Sequence, residues 1–210
     1  MKLQLALDDL SLEEVIALVA RVREHVDIIE AGTPLIYGYG MEAVRALKAR
    51  FPEKQVLADM KIMDSGAWET EEAMTAGADY VTVLGVSEDA TVRNCLETAT
   101  RYGREVVVDM ICVPDLPGRI RQLEALGVQG LAVHTGVDQQ DAGRTPLDDL
   151  RLMTACAQRA KISVAGGIRP DTVAEYAAYR PEVVIVGGGH TPRARSRGGR
   201  RGHRPAATGV

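Results

Sequence analysis

The stretch Gln55-Val56-Leu57-Ala58-Asp59-Met60-Lys61-Ile62-Met63-Asp64 decides how this chain is read. It opens on a short, mainly apolar run of the kind that forms a strand buried on both faces. The alternation of a strand then sends Asp59 and Lys61 to one side while Met60 points away, so an anion and a cation share the end of that strand. A structural salt bridge would use the same two residue types. A buried pair is costly to desolvate and adds little stability, however, so the pair reads as functional once Asp64 and the strand context are added.

Working outward, similar runs rich in Val, Ile and Leu recur at 3–7, 26–29, 80–84, 105–108, 131–133, 162–165 and 183–186, which makes eight candidate strands in all. Each interval of roughly 20 to 30 residues has room for one helix and two short loops, as parallel strands require. Ser11-Leu12-Glu13-Glu14 is a capping box ahead of Val15, Ile16, Leu18 and Val19, and it predicts the first helix. A second helix over 41–50 stops at Phe51-Pro52, because the residue before proline disfavours the helical region. Gly77, Gly103 and Gly127 fall shortly before strands, where a helix C-terminus favours the left-handed conformation. The reading is α/β, a (β/α)8 TIM barrel over residues 1–189, with an open doubly wound sheet as the fallback.

At 210 residues, 46% hydrophobic, with a formal charge of −4, the composition fits one globular domain. No apolar run is long enough to span a bilayer, and the N-terminus reads as a first strand without a signal peptide, so a cytoplasmic protein is expected. Cys95, Cys112 and Cys156 form no Cys-x-x-Cys pair and are expected to be reduced, mostly buried thiols.

In such a barrel the chemistry sits at the C-terminal ends of the strands, where Asp8, Glu30, Asp59, Asp109 and His134 fall. Any one of them alone would serve equally as a helix cap or a loop hydrogen-bonding group. Glu30 and Asp59 on adjacent strands, completed by sugar oxygens, make an oxygen-rich site suited to Mg²⁺, with Mn²⁺ as the alternative; zinc would call for thiolates or a His cluster. His134 near the metal could move a proton at physiological pH. Two glycine turns, Ala165-Gly166-Gly167-Ile168 and Val186-Gly187-Gly188-Gly189, follow the last two strands. Phosphate is often bound there, and Gly166, Gly167, Gly188 and Gly189 are the expected grip on a phosphorylated substrate.

Asp59-Met60-Lys61-Ile62-Met63-Asp64, Asp79-Tyr80-Val81-Thr82-Val83-Leu84-Gly85, Val133-His134-Thr135-Gly136 and Val186-Gly187-Gly188-Gly189 together resemble the 3-hexulose-6-phosphate synthase family. That family lies in the orotidine 5′-phosphate decarboxylase superfamily of barrels. The resemblance implies an aldehyde-lyase that condenses formaldehyde with D-ribulose 5-phosphate, through a Mg²⁺-stabilised enediolate, to D-arabino-3-hexulose 6-phosphate. It assigns Glu30 and Asp59 to the metal, Asp8 to a sugar hydroxyl, His134 to the C1 proton and Lys61 to the enediolate charge. Asp64 would be lent to the partner's site in a homodimer. The sister activity, 3-keto-L-gulonate 6-phosphate decarboxylase, shares these residues and is the alternative. Its members carry one arginine in the neighbourhood of Thr135-Gly136 and one in that of the three glycines after strand eight, which favours the synthase.

Beyond Gly189 the sequence changes character. Residues 190–205 hold six arginines and no aliphatic side chain larger than Ala, so no eighth amphipathic helix can be drawn. The tail reaches about +6 and leaves residues 1–189 near −10; a disordered Arg/Gly/Pro-rich segment over 190–210 is expected. An altered reading frame near Gly189 accounts for this better than a nucleic-acid tether does. Loss of the last helix would expose apolar surface, leaving as a third reading a phosphosugar-binding barrel with impaired catalysis.

Overall fold

The computed structural model describes residues 1–187, so Gly188, Gly189 and the 190–210 tail lie outside the described residues. Eight parallel strands hydrogen-bond in chain order and close into one barrel. They are β1 (Lys2–Leu7), β2 (Ile28–Ala31), β3 (Gln55–Ile62), β4 (Tyr80–Leu84), β5 (Glu105–Asp109), β6 (Gly130–His134), β7 (Lys161–Ala165) and β8 (Val183–Val186). The ring closes where β8 pairs with β1, from Val183 opposite Lys2 to Val186 opposite Leu5. The open doubly wound sheet is thereby excluded.

The helices α1 (Leu12–Val22), α2 (Thr33–Tyr39), α3 (Glu42–Arg50), α4 (Gly66–Thr75), α5 (Asp89–Arg101), α6 (Leu116–Ala125), α7 (Val137–Asp141), α8 (Leu147–Cys156) and α9 (Val173–Ala177) occupy the intervals. The capping box of α1 forms as the sequence predicts: Ser11 N donates to Glu14 Oε2 at 2.9 Å and Glu14 N to Ser11 Oγ at 3.3 Å. Gly77, Gly103 and Gly127 follow α4, α5 and α6 at φ 99°, 65° and 95°, which is the left-handed stop their positions call for.

Strand alternation divides the side chains into two sets. Outward residues such as Leu5, Ile29, Val81, Val108 and Val184 are buried beneath the helices against Val15, Leu47, Val92, Ile120 and Met153. Inward residues such as Gln4, Glu30, Asp59, Thr82, Asp109 and His134 face the interior of the barrel. No helix among the described residues is long and apolar enough to cross a membrane.

The sequence reading differs from the structure in several places. Strand β2 lies two residues later than expected, which places Glu30 inside the strand, opposite Ala6 and Leu57. Strand β3 runs on through the ionisable residues, with its pairing to β4 slipping between Ala58 and Ile62 and Lys61 at φ 48°. Polar residues can stay in the ladder here because their side of the strand faces the interior and not an apolar layer. All three cysteines are free, but only Cys95 is buried; Cys156 is half-buried and Cys112 is exposed, on the turn after β5 at φ 60°.

At the N-terminal end of the barrel, Asp79, just ahead of β4, joins several segments. Its carboxylate takes the Val56 N–H at 2.8 Å and pairs with Lys48 at 2.8 Å and with Arg104. Asp79→Ala should cost about 2 to 3 kcal/mol, since hydrogen bonds to a charged, buried group are lost while the freed cations can still reach water. Thermal unfolding should show a Tm lower by about 5 to 10 °C, with activity per folded molecule unchanged.

Candidate active site

Adjacent parallel strands bring their C-terminal ends together, and the inward positions there converge on Asp59. Its Oδ2 accepts from Thr33 Oγ1 at 2.8 Å and from Lys61 Nζ at 2.5 Å, and its Oδ1 accepts from Thr82 Oγ1 at 2.8 Å. The Thr82 hydroxyl oxygen in turn accepts the Lys61 N–H at 2.9 Å, which holds the left-handed Lys61 backbone in place. Lys61 also reaches Asp109 Oδ2 at 3.4 Å, so its ammonium bridges β3 and β5. Asp109 takes the Ile111 N–H at 2.9 Å and lies 2.8 Å from His134 Nδ1.

Glu30 is buried beside this group, where Gln4 Nε2 donates to its Oε2 at 2.6 Å. Asp8 completes the ring from β1. A Cβ at Gly32 would fall 2.0 Å from Asp8 Oδ1, so position 32 has to be glycine for Asp8 to sit where it does. Gly166 and Gly167 line the same mouth at φ 121° and 67°, and a Cβ at Gly166 would meet the Thr135 carbonyl oxygen at 2.8 Å. Together these residues edge a cavity of about 830 Å³.

The electrostatics follow from crowding. Burial, then the charge of Asp59, push Glu30 up to about 8, and the Gln4 hydrogen bond offsets only part of this. Burial and the charges of Asp59 and Asp9 also raise Asp8 above the usual carboxylate range. Burial alone would lower Lys61, but Asp59 and Asp109 outweigh it and hold the ammonium protonated. Burial would likewise raise Asp109, yet the His134 hydrogen bond and charge, with Lys61, bring it below the ordinary range. Since Asp109 is therefore an acceptor, His134 Nδ1 carries the proton and Nε2 is the basic nitrogen.

Of the residues singled out from the sequence, Asp8, Glu30, Asp59, Lys61, His134, Gly166 and Gly167 are brought together at this mouth. Asp64 is not. It is exposed on the rim, where its carboxylate takes the Ser65 N–H at 2.7 Å. The sequence reading gave no role to Thr33, Thr82, Gly32, Gln4 or Arg169, all of which hold or line the site. Thr82 could have been found, because alternation in β4 gives it the same side as Tyr80; Gly32 carries no local signal.

A family model described as "Orotidine 5′-phosphate decarboxylase / HUMPS family" matches residues 1–192. The chain belongs to this family. Within the orotidine 5′-phosphate decarboxylase / HUMPS family it is an enzyme. It is 46% identical over 189 residues to a 3-hexulose-6-phosphate synthase of Staphylococcus haemolyticus, covering 90% of each chain. Its fold matches the 3-hexulose-6-phosphate synthase of Salmonella typhimurium with TM-score 0.89 and 53% identity over 90% of each chain. The 3-keto-L-gulonate-6-phosphate decarboxylase of Vibrio cholerae matches at TM-score 0.79 and 29% identity, over 89% of this chain and 87% of that one.

The raised Glu30 carboxyl predicts a pH dependence of stability. Folded, it keeps a proton to about 8 that the unfolded chain gives up near 4.5, so its contribution falls as pH rises through that window. Glu30→Gln should therefore raise Tm relative to the parent at alkaline pH in the presence of chelator, and that advantage should vanish toward the acid end. An offset independent of pH would contradict it.

Proposed function

We propose that this chain is an aldehyde-lyase that joins formaldehyde to D-ribulose 5-phosphate, forming D-arabino-3-hexulose 6-phosphate by an aldol-type reaction. The observation that carries the reading is the linked Asp59–Lys61–Asp109–His134 array at the mouth of a barrel that is 53% identical in sequence to a solved 3-hexulose-6-phosphate synthase. The lower identity to the decarboxylase, 29%, supports keeping that activity as the alternative.

Each residue has a role that its surroundings support. His134 Nε2, with Nδ1 tied to a buried carboxylate, takes the C1 proton of the sugar. Lys61, kept protonated, stands beside the enediolate oxygens and offsets their negative charge without forming a Schiff base. Asp8, at the same mouth, orients a sugar hydroxyl by hydrogen bonding. Gly166 and Gly167 offer backbone to the phosphate, and Arg169 lines the cavity beside them.

Glu30 and Asp59 would hold the divalent cation, Mg²⁺ or Mn²⁺. Both are hard oxygen donors, and the proton that Glu30 retains beside Asp59 marks a local shortage of positive charge that a cation would relieve. Among the described residues no three His, Cys, Asp or Glu side chains are arranged to hold a metal ion by themselves, so sugar oxygens and water would complete the shell. When bound, the cation supplies electrophilic stabilisation of charge on the sugar.

Two copies would pair so that Asp64 serves the partner's site. Its exposure outside its own cavity, beside exposed Met63 and Trp68, supports that arrangement. A cytoplasmic location is part of the same proposal.

Purified protein with ribulose 5-phosphate, formaldehyde and Mg²⁺ should consume formaldehyde, and a chelator should stop it. His134→Gln should lower kcat by about 100-fold or more, the scale of a lost general base. Release of carbon dioxide from 3-keto-L-gulonate 6-phosphate without formaldehyde loss would move the assignment to the sister reaction.

A further inference from the structure

The interior of the barrel departs from the usual packing of bulky branched side chains. The cavity beneath the carboxylates is lined by every inward position of β1, from Lys2 at its N-terminal end through Gln4 and Ala6 to Asp8. Accessibility differs from one side of the wall to the other. Inward Val107, Val183 and Ile185 on β5 and β8 are only half-buried, although outward Val106, Val108 and Val184 are sealed at 4%, 0% and 2% exposure. Inward Gln4, Ile28 and Leu57 on β1 to β3 are buried, so the accessible space runs along the β5 and β8 side. Small residues at inward positions, Gly130, Ala132 and Ser163, leave this space unfilled. At the N-terminal end the rim is charged, formed by Lys2, Glu105, Lys161 and Glu182.

We propose that this bore is a passage by which the one-carbon aldehyde enters from the N-terminal end of the barrel to reach the catalytic carboxylates. The inference rests on the function proposed above and concerns the route of its second substrate. A phosphosugar with its phosphate on Gly166 and Gly167 lies across the C-terminal mouth, so an aldehyde arriving afterwards needs another way in. Formaldehyde is close to the size of a water molecule, whose share of liquid volume is about 30 Å³. Its polarity suits a path bounded by Gln4, Ser163 and the charged rim.

Gly130 is the position at which to close the passage. It begins β6, pairs with Val107 and Lys161, and lies two inward positions below His134. A Cβ there meets nothing nearer than 3.4 Å, at the Val106 carbonyl oxygen and Val107 Cγ2, so a larger side chain can be accommodated by projecting into the bore. In the full-length enzyme, Gly130→Leu should lower kcat/KM for formaldehyde at least tenfold and leave KM for ribulose 5-phosphate within twofold. Val183→Phe, on another strand, should act in the same sense. If both fold and both keep the parental kcat/KM for formaldehyde, the passage is wrong.

A second readout does not depend on turnover. Val107→Cys in a Cys112→Ser background should be modified at position 107 by methyl methanethiosulfonate at a rate unchanged by saturating ribulose 5-phosphate. That rate should fall at least tenfold when Gly130→Leu is added. No modification of the folded Val107→Cys protein, or protection by the sugar phosphate equal to closure of the mouth, would overturn the passage. Failure of the parent to consume formaldehyde would instead overturn the functional reading, so the two failures are distinguishable.

Discussion

Three carboxylates crowd one end of a narrow barrel, and the rest of the site answers their mutual repulsion. Asp8, Glu30 and Asp59 come from successive strands, so the parallel register itself forces them together. Asp59 remains tolerable there because Thr33, Thr82 and Lys61 all donate to it. Glu30 has one donor, Gln4, and meets the crowding by holding its proton to about 8. Like charges brought this close in a partly desolvated site cannot all ionise without a compensating cation. The repulsion is thus the physical basis for proposing a divalent cation at this mouth.

In the second half of the site the same physics links cation, carboxylate and imidazole. Lys61 leans from Asp59 toward Asp109, and Asp109 fixes the tautomer of His134. A change at any one of these four residues therefore alters the charge felt by the others. Double substitutions within the array are expected to be non-additive for that reason.

Much of this could be read from the sequence because strand alternation is a strong local rule. Eight recurrent runs gave the barrel, and the polar residues that end them gave Asp8, Glu30, Asp59, Lys61 and His134. What escaped depends on contacts between strands. Thr33 and Thr82 matter only because β2, β3 and β4 place them around Asp59, and Gly32 matters only because Asp8 occupies the space of its missing Cβ. The same limit explains Cys112, expected to be buried by its residue type but carried to the surface by a turn. The short helices α2 and α7 were missed because each lies within a loop whose composition suits a turn equally well. The unusual tail falls outside the described residues, so its reading rests on the sequence alone.

The central claim is that the carboxylate pair at the barrel mouth stands in need of positive charge. Titration of the metal-free protein with Mg²⁺ at pH 7, by calorimetry in two buffers of different ionisation enthalpy, tests it most directly. The account predicts release of about one proton per cation bound, abolished in Glu30→Gln, because a carboxyl that holds its proton must give it up to bind the ion. Binding with no proton release, or release that persists in Glu30→Gln, would contradict it.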